Sequence, residues 1–324
     1  MSKILLVSPS SSERPSFEYG VKVALEKLNN QVSVFNYRFS YLHKLAISNL
    51  VLNKFILKKA LNDNPDIVLV LKGEKLEKGI IEKISDAGIK TANYIMDDPL
   101  GIYGNTKLEN IQEYDNFFVF DPFYVKKIKE TGYKNAYYLP CATNPELYTE
   151  QITLKKREYR QDFSFIGTYH KNREEVLSEL SQEDMKIWGY NWNKSELLKN
   201  NFQNEPLHGT KNINHTKKIC RIFNETKINM NVHFTHSRES VNIRTFDIPA
   251  TKSFMLTDYF KEIPNLFRKN EIATYKDKDE LTEKVDYYLD NEEERHKISL
   301  AGYKRVIKEH TIYHRMKELL SIVS

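Results

Sequence analysis

Two carboxylates and one arginine fall within a single short stretch near the end of this 324-residue chain: Glu239-Ser-Val-Asn-Ile-Arg-Thr-Phe-Asp247. A carboxylate accepts hydrogen bonds from sugar hydroxyls, and an arginine fork neutralises a diphosphate. Ile248-Pro-Ala250 and the apolar run Ser253-Phe-Met-Leu-Thr-Asp258 follow at once. That order suits a helix whose amino end faces a nucleotide-sugar, with a strand directly behind it. The bland alternative is a surface ion pair between Arg244 and either Glu239 or Asp247.

Other residues offer chemistry at strand ends. Asp97-Asp98-Pro99 follows the fourth apolar strand, where a carboxylate can deprotonate an acceptor hydroxyl as general base. Asp98 can equally cap the turn before Pro99. Glu74, after Leu71-Lys-Gly73, is a rival base. Gly167-Thr168 and Gly189 end two later strands and open loops there, or simply make turns. His233 and His236 are three apart with no third ligand nearby, so no metal site is expected; a place for His233 beside a donor phosphate fits better. The first strand runs into Ser8-Pro-Ser-Ser-Ser-Glu13 rather than GxGxxG, and GxxxxGK[ST] is absent, which argues against NAD and a common phosphate loop.

Strands and helices alternate from the first residues. Apolar runs at Lys3–Ser8, 30–35, Asp66–Leu71, Thr91–Met96, Phe117–Phe120 and Lys134–Leu139 predict six strands. Helical spacing covers Glu18–Leu28, Leu42–Leu61 and Leu76–Ala87 between them. The polar stretch 143–160, with Pro145 and Lys155-Lys-Arg157, reads as a linker. A second series follows: strands at Asp162–Ile166, Met185–Trp188, Ile228–His233, Ser253–Thr257 and Glu271–Tyr275, with helices at Asn172–Leu180, Thr216–Glu225, Asp279–Leu289 and Glu292–Glu309. The expected architecture is α/β, with two Rossmann-like doubly wound domains facing a central cleft. Their bounds are 1–150 for the acceptor side and 151–310 for the nucleotide-sugar side, with 311–324 as a helix packing back on the first.

Composition narrows the class. The 49 cations and 44 anions are interspersed, so the net charge of +5 makes no basic arm and no nucleic-acid partner is expected. Cys141 and Cys220 stand far apart and read as buried thiols in a reducing compartment. The first apolar run is too short for a signal peptide, and no run reaches 18 apolar residues; a cytoplasmic protein is expected. His43, Lys44, Lys54, Lys58 and Lys59 flank the Leu42–Leu61 helix, which raises peripheral contact with anionic lipid beside the commoner solvated face.

Ten pieces in order then carry a resemblance. Val70-Leu-Lys-Gly-Glu74, Asp97-Asp-Pro99, Val119-Phe-Asp-Pro-Phe-Tyr124 and Tyr138-Leu-Pro140 match in the amino half. Phe163-Ser-Phe-Ile-Gly-Thr168 with Asn172-Arg173, Ile187-Trp-Gly189, Lys227-Ile-Asn-Met-Asn-Val-His233, Asn242–Ala250, Leu256-Thr-Asp-Tyr259 and Ala301–Thr311 match in the carboxyl half. With these the chain resembles the bacterial glycosyltransferases grouped with spore maturation protein CgeB, of the GT-B fold.

The resemblance implies roles. Glu239 and Asp247 would be a Glu-x7-acid pair, the second holding ribose hydroxyls and the first near the transferred sugar. Arg244, with Lys171 or Arg173, would neutralise the diphosphate, and Trp188-Gly189-Tyr190 would contact the nucleobase. The donor would be a nucleotide-sugar, a UDP-sugar by first choice, used as co-substrate with no cofactor or metal. The acceptor would be a hydroxyl on a glycan, protein or small molecule. A sugar epimerase or hydrolase and a non-catalytic nucleotide-sugar-binding protein are the rivals, and the stereochemical course stays open. Two departures stand out: Asp247 is shorter than the family glutamate, and Lys252 stands where the family has glycine.

Overall fold

A computed structural model describes residues 1–9, 16–38, 48–102, 107–148, 158–180, 184–205, 207 and 213–323. Residues 10–13 of the first turn, 42–47 of the second predicted helix and 149–157 of the predicted linker lie outside this set. The chain divides into two compact units, Met1–Cys141 with Ile312–Ser324, and Ala142–Thr311.

The first unit holds a six-stranded parallel sheet: β1 (Lys3–Ser8), β2 (Gln31–Asn36), β3 (Ile67–Leu71), β4 (Lys90–Ile95), β5 (Asn116–Val119) and β6 (Ala136–Tyr138), in the order β2-β1-β3-β4-β5-β6. β3 is buried along its whole length, as its unbroken Ile-Val-Leu-Val-Leu requires of a strand covered on both faces. The helix expected from Leu76 begins only at Ile80, because Gly79 takes φ 80°, a left-handed conformation that interrupts helical geometry. A helix at Pro122–Glu130 fills the gap between β5 and β6; Asp121 caps it by accepting from the Phe123 N–H at 2.9 Å, and Pro122 opens it. The closing helix Ile312–Val323 packs on the Phe17–Lys27 helix. Its buried Arg315 donates to the Pro140 carbonyl at 2.9 Å and the Cys141 carbonyl at 3.2 Å.

The second unit holds a five-stranded parallel sheet: β7 (Gln161–Ile166), β8 (Met185–Trp188), β9 (Thr226–Asn231), β10 (Met255–Asp258) and β11 (Ala273–Tyr275), in the order β11-β10-β9-β7-β8. Phe163, Phe165, Ile187, Trp192, Ile228, Met230 and Leu256 are central to its core. Buried asparagines fix the sheet to its surroundings. Asn229 accepts from Ser164 at 2.7 Å and donates to the Phe223 and Phe254 carbonyls. Asn231 donates to Thr245 at 3.1 Å and Thr257 at 3.2 Å. The Ile-Asn-Met-Asn run is therefore an internal fastening of the fold.

Candidate functional site

In the second sheet the order places β7 beside β9, with β8 on the other side of β7. Successive connections leave in opposite directions at that pair, and open α/β sheets bind ligands beyond the carboxyl ends of strands at such a switch point. Residues 167–170 and 232–236 follow these two strands.

Side chains of the Lys171–Leu177 helix draw the two loops together. Asn172 Nδ2 donates to the His233 carbonyl at 2.9 Å, Arg173 Nε to the Val232 carbonyl at 2.9 Å, and Arg173 Nη1 to the Thr168 carbonyl at 2.8 Å. Burial lowers the Arg173 pKa to about 10, with Asp258 opposing and Arg244 assisting, so it stays charged at neutral pH. Expected as a diphosphate ligand, Arg173 is a clamp on loop carbonyls. Gly167 and Gly189 serve the same closeness: a Cβ on Gly189, at φ 139°, would stand 1.9 Å from the Gly167 carbonyl oxygen.

His233 is almost wholly buried. Its Nδ1 lies 2.5 Å from Asp258 Oδ1, its backbone N–H donates to Asp258 Oδ2 at 3.1 Å, and its Nε2 stands 3.4 Å from Thr245 Oγ1. Asp258, not foreseen from sequence, thus holds the ring from the end of β10. Phe260 covers the imidazole at 4.4 Å between centroids. Glu239 sits in the loop before the Arg244–Ala250 helix, not on the helix; its carbonyl accepts from the Glu262 N–H at 2.9 Å and its carboxylate faces Lys261 at 3.4 Å.

Arg244 begins that helix, and its Nη1 reaches Asp247 Oδ2 at 3.2 Å and the Tyr148 hydroxyl at 3.4 Å. Asp247 is buried and also accepts from Thr143 Oγ1 at 2.9 Å. Burial raises its pKa to about 6, while Arg244 and the hydrogen bonds pull the other way. The carboxylate expected on ribose hydroxyls is committed to orienting the arginine. Thr245, next along the helix, abuts His233, so Arg244 stands beside the end of β9.

A stack went unforeseen. The His170 and Phe234 rings lie 3.7 Å apart at 29°, one from each switch-point loop. Partial burial, then Arg173 and His236, push the His170 pKa down to about 4, which keeps the ring neutral. Lys171 is exposed beside it. The Tyr190 carbonyl accepts from the Tyr169 N–H at 2.8 Å. Trp188, expected on the nucleobase, is buried and borders a separate cavity of 640 Å³ with Lys186, Lys217, Lys218 and Arg221.

In the first unit, Asp98 caps its turn: the Leu100 N–H donates to its Oδ1 at 2.9 Å. Asp97 is part-exposed, paired with Lys72 at 3.2 Å. Glu74 accepts from Tyr37 at 2.6 Å and from Arg38 Nε at 2.8 Å. Burial opposes its ionisation, but those bonds win and hold the carboxyl below its usual range. The described residues form no cluster of three or more groups able to hold a metal, and no described helix is long and apolar enough to cross a membrane.

Two Rossmann-like parallel-sheet units in one chain make a GT-B fold, and solved structures agree. The OtsA apo structure superposes with a TM-score of 0.66 at 12% identity, over 100% of this chain and 99% of that one. HepE from Anabaena, in complex with UDP and glucose, gives 0.63 at 10% identity over 99% of both. Residues 170–321 match the family described as Glycosyl transferase-like. The chain is CgeB-like: it is 24% identical over 256 residues to the spore protein CgeB of Bacillus subtilis (strain 168), covering 75% of this chain and 78% of that protein.

Proposed function

We propose that this glycosyl transferase-like chain moves a sugar from a nucleoside-diphosphate sugar to a hydroxyl acceptor without a metal. The observation that carries the reading is Arg244. A buried Asp247 holds its guanidinium beside the β9 end of the switch point, where a diphosphate meets a planar, permanent positive charge. Such a charge stabilises the departing nucleoside diphosphate as negative charge grows on it. Lys171 adds a second cation, and the His170–Phe234 stack offers a neutral aromatic face for a base. UDP in the Anabaena neighbour favours a UDP-sugar. Asp97 is the acceptor-side base in this scheme, since Asp98 is spent on its turn.

Thermal shift against UDP-, GDP-, dTDP- and CMP-sugars, with Arg244→Ala alongside, tests the donor site. A rise for one base class that the variant loses supports the reading; no rise with any of them counts against it. Product analysis separates the rivals. Acceptor-dependent release of the nucleoside diphosphate, retained in EDTA, marks a metal-independent transferase. Free sugar or an epimer without acceptor marks a hydrolase or epimerase, and binding without turnover marks a binding protein.

A further inference from the structure

The Asn49–Asp63 helix carries large apolar side chains on both faces. Leu52, Asn53, Ile56 and Ala60 face the core of the first unit. At 100° per residue the opposite arc carries Leu50, Val51, Lys54, Phe55, Lys58, Leu61 and Asn62, and all seven are exposed. Leu50 is 61% exposed, Val51 39%, Phe55 43% and Leu61 47%. Among the described residues, these are four of the ten large apolar side chains left in solvent, gathered on one helix of 15 residues. Large apolar side chains gathered in solvent on one helix face mark an interaction site.

We propose that this face docks on an anionic lipid surface. The charge pattern selects that occupant. Lys54 and Lys58 lie among the apolar residues, and the exposed arc holds no carboxylate; Asp63, off the arc, is paired with Lys59. A second copy meeting this face about a two-fold axis would set lysines against lysines with no acid to pair them. A bilayer takes the leucines and the phenylalanine among its acyl chains, while the lysine stems snorkel to phosphates. The helix is about 22 Å long and lies flat rather than spanning. Asn53 fixes its attitude: Nδ2 donates to the Lys75 carbonyl at 2.9 Å and Oδ1 accepts from the Glu77 N–H at 3.1 Å, tying the buried face to the loop that follows Glu74. The surface is independent of the donor chemistry proposed above.

The test is flotation with two vesicle types, phosphatidylcholine alone and phosphatidylcholine with about one third phosphatidylglycerol. Wild type should float with the anionic vesicles at low salt, about tenfold or more above the neutral ones, and should be released at high salt. The double variant Leu50→Asp/Phe55→Asp and the variant Lys54→Glu/Lys58→Glu should each lose about tenfold of that binding. Leu197→Asp, at an equally exposed leucine of the second unit, should keep it. Circular dichroism and melting confirm that each variant is folded. Absence of wild-type flotation, or flotation untouched by Leu50→Asp/Phe55→Asp, overturns the proposal. So does a wild-type dimer that the same variant dissolves, since a second copy then covers the face.

Discussion

The α-carbon of Gly189 is so close to Gly167 that a methyl group there would stand 1.9 Å from its carbonyl oxygen and 2.6 Å from its carbonyl carbon. Backbone, not a yielding side chain, occupies the space, and φ of 139° is itself strained for any L-residue. Gly189→Ala should therefore destabilise the protein by about 3 kcal/mol or more. Gly79→Ala is the control: it shares a positive φ but has nothing within 4 Å of the added carbon, so about 1 kcal/mol is expected. Urea midpoints compare the two. Equal shifts would show that the contact with Gly167 is not what demands glycine.

The pairing of His233 with Asp258 predicts a coupled loss. Asp258→Asn replaces a charged acceptor 2.5 Å from the imidazole by an amide that serves it less well, at a cost of about 1–2 kcal/mol. A double-mutant cycle with His233→Gln should return a coupling of at least about 1 kcal/mol, because each substitution removes the same bond. Additive effects would mean that the carboxylate does not hold the ring.

Much of this arrangement was legible in sequence, and the division has physical causes. A strand buried on both faces announces itself as an unbroken apolar run, and Ile67–Leu71 lies where such a run falls. The Pro122–Glu130 helix carries a sequence signal in its capped Asp121-Pro122 start, but it is too short for periodicity alone to mark it. What sequence hid is long-range. Thr143 reaches Asp247 across 104 residues and Asp258 reaches His233 across 25, so no local spacing reveals either pair. Arg173 binds carbonyl groups, which every residue carries and no motif marks. Gly302 shows the converse: the Ala301-Gly302 match reflects a close approach, where a Cβ would stand 2.4 Å from the Glu271 carbonyl oxygen.

Asp247 and His170 give the stability a pH signature with two opposed parts. The folded pKa of Asp247 lies near 6, above the ordinary 3.8. The folded state then binds the extra proton between those values, and the contribution is fully present below 3.8 and is lost as pH rises through 6. His170 runs the other way: its folded pKa near 4 lies below the ordinary 6.5, so stability present above 6.5 is lost as pH falls through 4. Comparing wild type with Asp247→Asn in urea at pH 4.5 and 7 isolates the first part. The wild type should lose on the order of 2 kcal/mol more than the variant on going to pH 7. Comparison with His170→Gln isolates the second, and there the wild type should lose more toward pH 4.5. A sign reversal in either would refute the assigned direction.

Lys252 holds a backbone conformation that ordinarily calls for glycine. It takes φ 58° just past the Arg244–Ala250 helix, and its N–H closes on the Pro249 carbonyl at 2.8 Å. A residue ending a helix in the left-handed region is ordinarily glycine, because any Cβ there costs about 1 kcal/mol. The lysine recovers part of this by placing Nζ 4.7 Å from the centre of the Tyr303 ring. It stands at the opposite end of the helix from Arg244, roughly 12 Å along the axis. Lys252→Gly should therefore change stability by no more than about +0.5 to +1 kcal/mol, the relieved strain offsetting the lost ring contact and the freer unfolded chain. Thermal shifts with nucleotide-sugars should match those of wild type. A donor shift that disappears in Lys252→Gly, with melting otherwise unchanged, would instead give the lysine a direct part in the donor site.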